Sequence, residues 1–165
     1  MTEYLSICLP EDEIRGISSI GLAHLGDAVY ELLVRTYLCA HGRATGKGLH
    51  RATIELVCAP AQARAAEKIM SRLSEEETAV FRRGRNANVH SVPHNASLAE
   101  YKQATALEAL MGWLYLHGRR ERYLTLFIYG EDILSGDIVR ALVTGYVLSG
   151  VDPELRAHYR LVAVS

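Results

Sequence analysis

The run ATALEALMGWLYL, Ala104 to Leu116, decides the fold. Apolar side chains cover it around nearly the whole helix circumference, and Glu108 is its only charged residue. A helix without a polar face belongs at the centre of a domain, with other elements packed around it. An ionised carboxylate in such a place is costly to bury, so Glu108 needs a basic neighbour, a hydrogen-bond network or a metal ion. The helical pattern extends outward from this run over Leu98 to His117.

A second helix is predicted from Ser18 to about Ala40, with Leu22, Leu25, Val29, Leu32, Leu33 and Thr36 at roughly helical spacing. Ser18 or Ser19 is the candidate cap, and Gly42 falls just beyond the end. Only His24, Asp27 and Glu31 interrupt the apolar run from Ile20 to Val34. Asp27 therefore raises the same difficulty as Glu108. Its neighbour Gly26 costs a helix about 1 kcal/mol relative to alanine, which points to close approach of something at that turn. Glu108 has Gly112 one turn along. Two carboxylates on two apolar helices, each beside a glycine, are expected to face each other across a helix crossing, where like charges repel unless a divalent cation lies between them. The plainer alternatives are a structural ion pair for Glu108 and local capping or pairing for Asp27. His24 and Glu31, one turn either side of Asp27, are either supports for a metal-bound water network or ordinary polar surface.

The remaining chain reads as further helices. Gly42 to Gly48 is expected to be a loop, and Leu49 to Ser71 two helices, the second from Ala59 or Pro60. Ser74 with Glu77 has the form of a capping box opening another helix. Arg82 to Asn95, RRGRNANVHSVPHN, is expected to be a long polar loop. Its Arg82, Arg83, Arg85, Asn86 and Asn88 suit contacts to phosphate and sugar, which supply affinity without base specificity. His90 and His94 are four apart but flank Pro93 and lack further ligands, so a zinc site is not indicated. Arg119, Arg120 and Arg122 precede a last helix, and no strand-like alternation is sustained except in the final few residues. The class is all-α.

Composition sets the frame for these elements. At 165 residues, 49% apolar and 22% charged, the chain is long enough for one hydrophobic core. A net charge of -1 means that any nucleic-acid footprint is local. Cys8, Cys39 and Cys58 are odd in number and widely spaced, which speaks against a disulfide scaffold. The acidic N-terminus is unlike a secretory leader, and no segment reaches membrane-spanning length. A cytoplasmic protein with no membrane partner is expected.

Three ordered stretches carry a resemblance: LAHLGDAVYELLVR, Leu22 to Arg35; FRRGRNANVHSVPHN, Phe81 to Asn95; and YKQATALEALMGWLYL, Tyr101 to Leu116. Together they resemble the ribonuclease III catalytic domain, and more closely its compact bacterial subgroup, Mini-ribonuclease III. The resemblance implies a ribonuclease III-like helical bundle over residues 1–127. It implies a magnesium-dependent endoribonuclease cutting double-stranded RNA, with Asp27 and Glu108 as catalytic, metal-binding carboxylates. Two positions depart from ordinary family members: Ala23 and Thr105 stand where those carry a glutamate and an aspartate, as the Mini subgroup does. Fewer carboxylate ligands imply more metal-bound water.

Ordinary bacterial members also carry a separate RNA-binding domain, whereas 38 residues follow Phe127 here (165 minus 127). Residues 128–165 are therefore expected to be a C-terminal extension, and the catalytic domain itself must grip the duplex, by shape and backbone. The resemblance further implies a symmetric homodimer and a precursor of large-subunit, 23S, ribosomal RNA as substrate. The apolarity of the Glu108 helix leads us to expect part of it at the dimer interface. A non-catalytic RNA-binding or ribosome-associated protein on the same fold is the alternative, against which the retention of Asp27 and Glu108 argues.

Overall fold

A computed structural model of the chain describes residues 7–41, 45–88 and 94–131. Among the described residues every regular element is helical: α1 (Glu11–Arg15), α2 (Ser19–His41), α3 (Gly46–Val57), α4 (Ala59–Ile69), a 3₁₀ turn (Met70–Arg72), α5 (Glu75–Arg85), α6 (Leu98–Leu116) and α7 (Arg120–Gly130). The fold is all-α, as expected.

Helix α6 is the axis of the molecule. Ser97 and Glu100 form a reciprocal capping box at its start, and from Ala104 to Leu116 only Glu108 and Tyr115 escape full burial. Helices α2, α4, α5 and α7 of the same chain surround it. These helices bury the Ala104–Leu116 stretch within one chain. Large apolar side chains are exposed on α2 at Ile20 (47%) and Leu32 (59%), and on the first residue of α6 at Leu98 (53%).

Each surrounding helix turns a short-period face inward. On α2, whose first turn is capped by Ser18 Oγ accepting the Gly21 N–H at 3.0 Å, the buried positions Leu22, Gly26, Val29, Tyr30 and Val34 follow helical spacing. On α4, with proline in its first turn, Ala61, Gln62, Ala65, Ala66 and Ile69 face inward. The small side chains let α4 lie close to its neighbours, and Gly130 of α7 packs directly on Ala65.

Two sequence boundaries move. Helix α3 begins at Gly46, capped by Thr45, so Gly46 to Gly48 form its first turn rather than a loop. Helix α5 opens on the expected Ser74–Glu77 capping box but continues through Arg82, Arg83 and Arg85, which belong to its last turn rather than to a loop. Phe81 and Gly84 on the inner face hold that turn against the core, while the arginines sit where a helix C-terminus favours positive charge. Helix α1, with five residues, is too short for its sequence to show helical periodicity.

Buried polar ties join the layers. Arg122 of α7 donates from Nε and Nη2 to the two carboxylate oxygens of Glu77 on α5, both at 2.7 Å, and from Nη2 to the Arg72 carbonyl at 2.6 Å. Tyr30 donates its hydroxyl to the Glu131 carboxylate, joining α2 to the end of α7. Among the described residues no helix is long and apolar enough to cross a membrane.

Candidate active site at the crossing of α2 and α6

The two helices meet backbone to backbone. A Cβ placed on Gly26 would lie 1.7 Å from the carbonyl oxygen of Glu108 and 2.7 Å from the amide nitrogen of Gly112. A Cβ on Gly112 would lie 2.1 Å from the carbonyl oxygen of Leu22. No side chain fits at either position, which is why both sites carry glycine despite its helix penalty. The close approach brings Asp27, the next residue on α2, up to Glu108 on α6. The separation of the two carboxyl-bearing residues is thus set by main-chain packing.

The electrostatics of the pair follow from this placement. Burial raises the pKa of Glu108 to about 8, with the nearby Asp27 charge adding to the effect and the Gln62 amide opposing it. Asp27 is solvent-accessible at the rim of the crossing. Its pKa is also raised, first by partial burial of the carboxyl and then by Glu31, while Gln62 and His24 pull it down. Like charges at close range resist joint ionisation, so each carboxyl is held above its ordinary range. Among the described residues neither carboxyl has a Lys or Arg ion-pair partner; the ion pairs of the helices lie elsewhere, at Arg15–Glu11, Arg35–Glu31, Arg51–Glu55, Arg119–Glu76 and Arg122–Glu77. The structural ion pair considered for Glu108 is absent there.

The other residues singled out in the sequence fall into two groups. His24 and Glu31 are close enough to be felt by Asp27, with Glu31 also held by Arg35. Ala23 is buried, and the Thr105 hydroxyl donates to the Tyr101 carbonyl at 3.0 Å, so neither adds a polar ligand to the pair. Arg82, Arg83, Arg85, Asn86 and Asn88 all reach the surface. Gly84 seats that turn on α6: its Cβ position lies 2.8 Å from Ala109 Cβ and 3.0 Å from Ala106 Cα, beside Glu108. His90 lies outside the described residues.

The residue missed in the sequence is Gln62. It is 1% exposed, and its amide nitrogen and oxygen are both buried without a hydrogen-bond partner. The amide is near enough to Asp27 and Glu108 to favour their charged forms, yet closes no bond of ordinary geometry with either. Its signal in the sequence is slight: one polar residue in the inward stripe of the alanine-rich run APAQARAA.

These features fit a hydrated divalent cation. Two carboxyls that resist joint ionisation, with a buried amide beside them and, among the described residues, no Lys or Arg paired to either, are groups whose repulsion a metal ion relieves. Among the described residues no cluster of three or more His, Cys, Asp or Glu side chains forms a closed chelate. A divalent cation that keeps some of its own waters and binds through one or two carboxylates fits that open set. A cleft of about 550 Å³ opens elsewhere, between α1, the start of α2, α5 and Trp113, and neither carboxylate lines it.

Comparison with known proteins places this geometry in a family. The Ribonuclease III domain matches residues 21–119, which include the crossing and the basic turn. A Mini-ribonuclease 3 of Symbiobacterium thermophilum is 48% identical over 101 residues, 61% of this chain and 78% of the relative. One from Thermoanaerobacter is 40% identical over 114 residues, 69% of this chain and 80% of the relative. A crystal structure of a Fusobacterium nucleatum protein superposes with a TM-score of 0.64 at 34% identity, covering 70% of this chain and 92% of that one.

Proposed function

Because the chain belongs to the ribonuclease III family, in its Mini-ribonuclease III group, and is an endoribonuclease, we propose that it hydrolyses phosphodiester bonds in double-stranded RNA with magnesium, using Asp27 and Glu108. The observation that carries this reading is the glycine-on-glycine crossing, which brings together two carboxyls that, among the described residues, have no Lys or Arg partner.

Asp27 and Glu108 would hold the cation. When bound, magnesium lowers the pKa of the attacking water and offsets charge on the phosphate and leaving oxygen. The chain supplies the rest. Main-chain packing at Gly26 and Gly112 fixes the two carboxylates, so that little reorganisation is needed during reaction. Asp27, at the accessible rim, is the carboxylate that substrate meets first; Glu108 lies deeper, where burial and the Asp27 charge favour its protonated form. Arg82, Arg83, Arg85, Asn86 and Asn88, exposed on and after the last turn of α5, bind the phosphate backbone, which gives affinity for duplex without reading its sequence.

The biological setting belongs to the same proposal: a cytoplasmic homodimer acting on a precursor of 23S ribosomal RNA. The exposed Ile20 and Leu32 on α2 supply apolar surface for the second subunit. Asp27→Asn and Glu108→Gln test the core of the reading. Each is expected to abolish magnesium-dependent cleavage of a duplex while preserving thermal stability and duplex binding. Near-normal cleavage by a well-folded Asp27→Asn protein would refute it.

A further inference from the structure

Five polar side chains are fully buried among the described residues: Thr53, Gln62, Glu77, Thr105 and Thr125. Four have obvious partners. The threonine hydroxyls of Thr53, Thr105 and Thr125 each donate to the carbonyl one turn back, and Glu77 is held by Arg122 and the Ser74 amide. Gln62 is the exception, with both ends of its carboxamide unsatisfied. A buried amide left unpaired costs on the order of 1–3 kcal/mol, and a leucine of similar volume would avoid that cost. Packing alone therefore does not account for glutamine here.

The placement of this residue is specific. Helix α4 packs along α6, and its inward stripe around Gln62 is alanine, so the small neighbours bring the carboxamide up to the crossing. There it lies within electrostatic reach of both Asp27 and Glu108 and favours the ionised form of each. An amide can donate from Nε2 and accept at Oε1 at once. It could thus hold a carboxylate with one end and face a cation, or a water on that cation, with the other.

We propose that Gln62 is a positioning residue of the cation site, contributed by a third helix, whose Nε2 steadies the two carboxylates while Oε1 serves the hydrated divalent ion between them. This rests on the metal-dependent reading given above. Groups that orient metal ligands in this way typically change affinity by about 10–100-fold when removed.

The test uses direct Mn²⁺ binding to the full chain without RNA, by calorimetry, together with thermal unfolding in EDTA and in Mn²⁺. Gln62→Leu is expected to unfold at the same temperature as the parent or higher in EDTA, and to bind Mn²⁺ at least about tenfold more weakly. Gln62→Glu is expected to lose stability in EDTA and regain more of it on Mn²⁺ addition than the parent does. Should Gln62→Leu fold poorly, Gln62→Met carries the same expectation for binding. A leucine or methionine variant with parental Mn²⁺ affinity would overturn the proposal, as would a lower melting temperature in EDTA with affinity unchanged, which marks a purely structural residue. Asp27→Asn separates this from failure of the parent reading: if the parent protein binds no Mn²⁺, or Asp27→Asn binds it unimpaired, the metal site itself falls and this inference with it.

Discussion

Replacing Gly26 by alanine tests the geometry on which the site depends. The added Cβ would sit 1.7 Å from the Glu108 carbonyl oxygen. A comfortable C···O approach is about 3.3 Å, so α2 and α6 must part by roughly 1.6 Å or twist to a similar extent. Alanine gains about 1 kcal/mol in helix propensity over glycine. Overpacking costs typically about 1–3 kcal/mol and more where neighbours cannot give, and here the obstacle is backbone. A net loss of about 3 kcal/mol is expected, which for a chain of this size is a fall of roughly 6–12 °C in melting temperature. Cleavage by the folded fraction should fall as well, by about 100-fold, because displacement of order 1 Å at a reacting centre has that effect. Urea and thermal unfolding of a series give the internal control. Gly112→Ala, 2.1 Å from the Leu22 carbonyl oxygen, should resemble Gly26→Ala; Gly84→Ala, 2.8 Å from Ala109 Cβ, should be milder; Gly46→Ala, with nothing within 4 Å, should be neutral or stabilising. A Gly26→Ala protein as stable as Gly46→Ala would refute the reasoning.

Three further outcomes are expected. In metal-free protein, Glu108 keeps its proton in the folded state up to about pH 8 while the unfolded chain releases it near the ordinary value of 4.5, so stability should fall as pH rises across that window and level off above it; Glu108→Gln should remove that part of the slope, and denaturant midpoints against pH check it. Arg122→Met should destabilise by about 3 kcal/mol at neutral pH, because it leaves the buried Glu77 carboxylate uncompensated, as chemical denaturation would show. Replacing Arg82, Arg83 and Arg85 together by alanine should weaken duplex binding across sequences and flatten its salt dependence, by about 0.9 in the log–log slope for each phosphate no longer neutralised, with the fold intact; filter binding at several salt concentrations reads this directly.

Much of the fold is legible because its strongest signals are local. The apolar circumference of α6, the capping residues Ser18 and Ser74, and the glycines beside Asp27 and Glu108 each point to a physical need that the structure meets. The carboxylate crossing could be anticipated for the same reason, since an unpaired charge on an apolar helix needs a counterpart. Where the sequence misled, the deciding information was which face a residue occupies. Arg82 to Arg85 look like loop by composition, but Phe81 and Gly84 supply an inner face that continues the helix. Gln62 is anonymous among alanines until α4 is laid against α6, because a single polar residue on an inward stripe has no periodic signature. The coverage of α6 by one chain's own helices likewise depends on tertiary packing rather than on α6 itself.

The meeting of Gly26 and Gly112 spans 86 residues of sequence (112 minus 26). During synthesis at about 5–20 residues per second, the partner of α2 follows it by roughly 4–17 s. Over that interval the Leu22, Val29 and Val34 face of α2 has no α6 to cover it, and the alanine stripe of α4 waits for the same helix. Because α2, α4 and α5 all pack on α6, with α7 closing on α4 and α6 after it, the chain made before α6 lacks the shared partner of these helices. Ribosome-bound chains arrested before residue 98 should therefore bind chaperones and be cleaved readily by protease, whereas release of α6 should confer protection in a single step. The crossing that sets the carboxylate spacing also sets the moment at which the protein becomes folded.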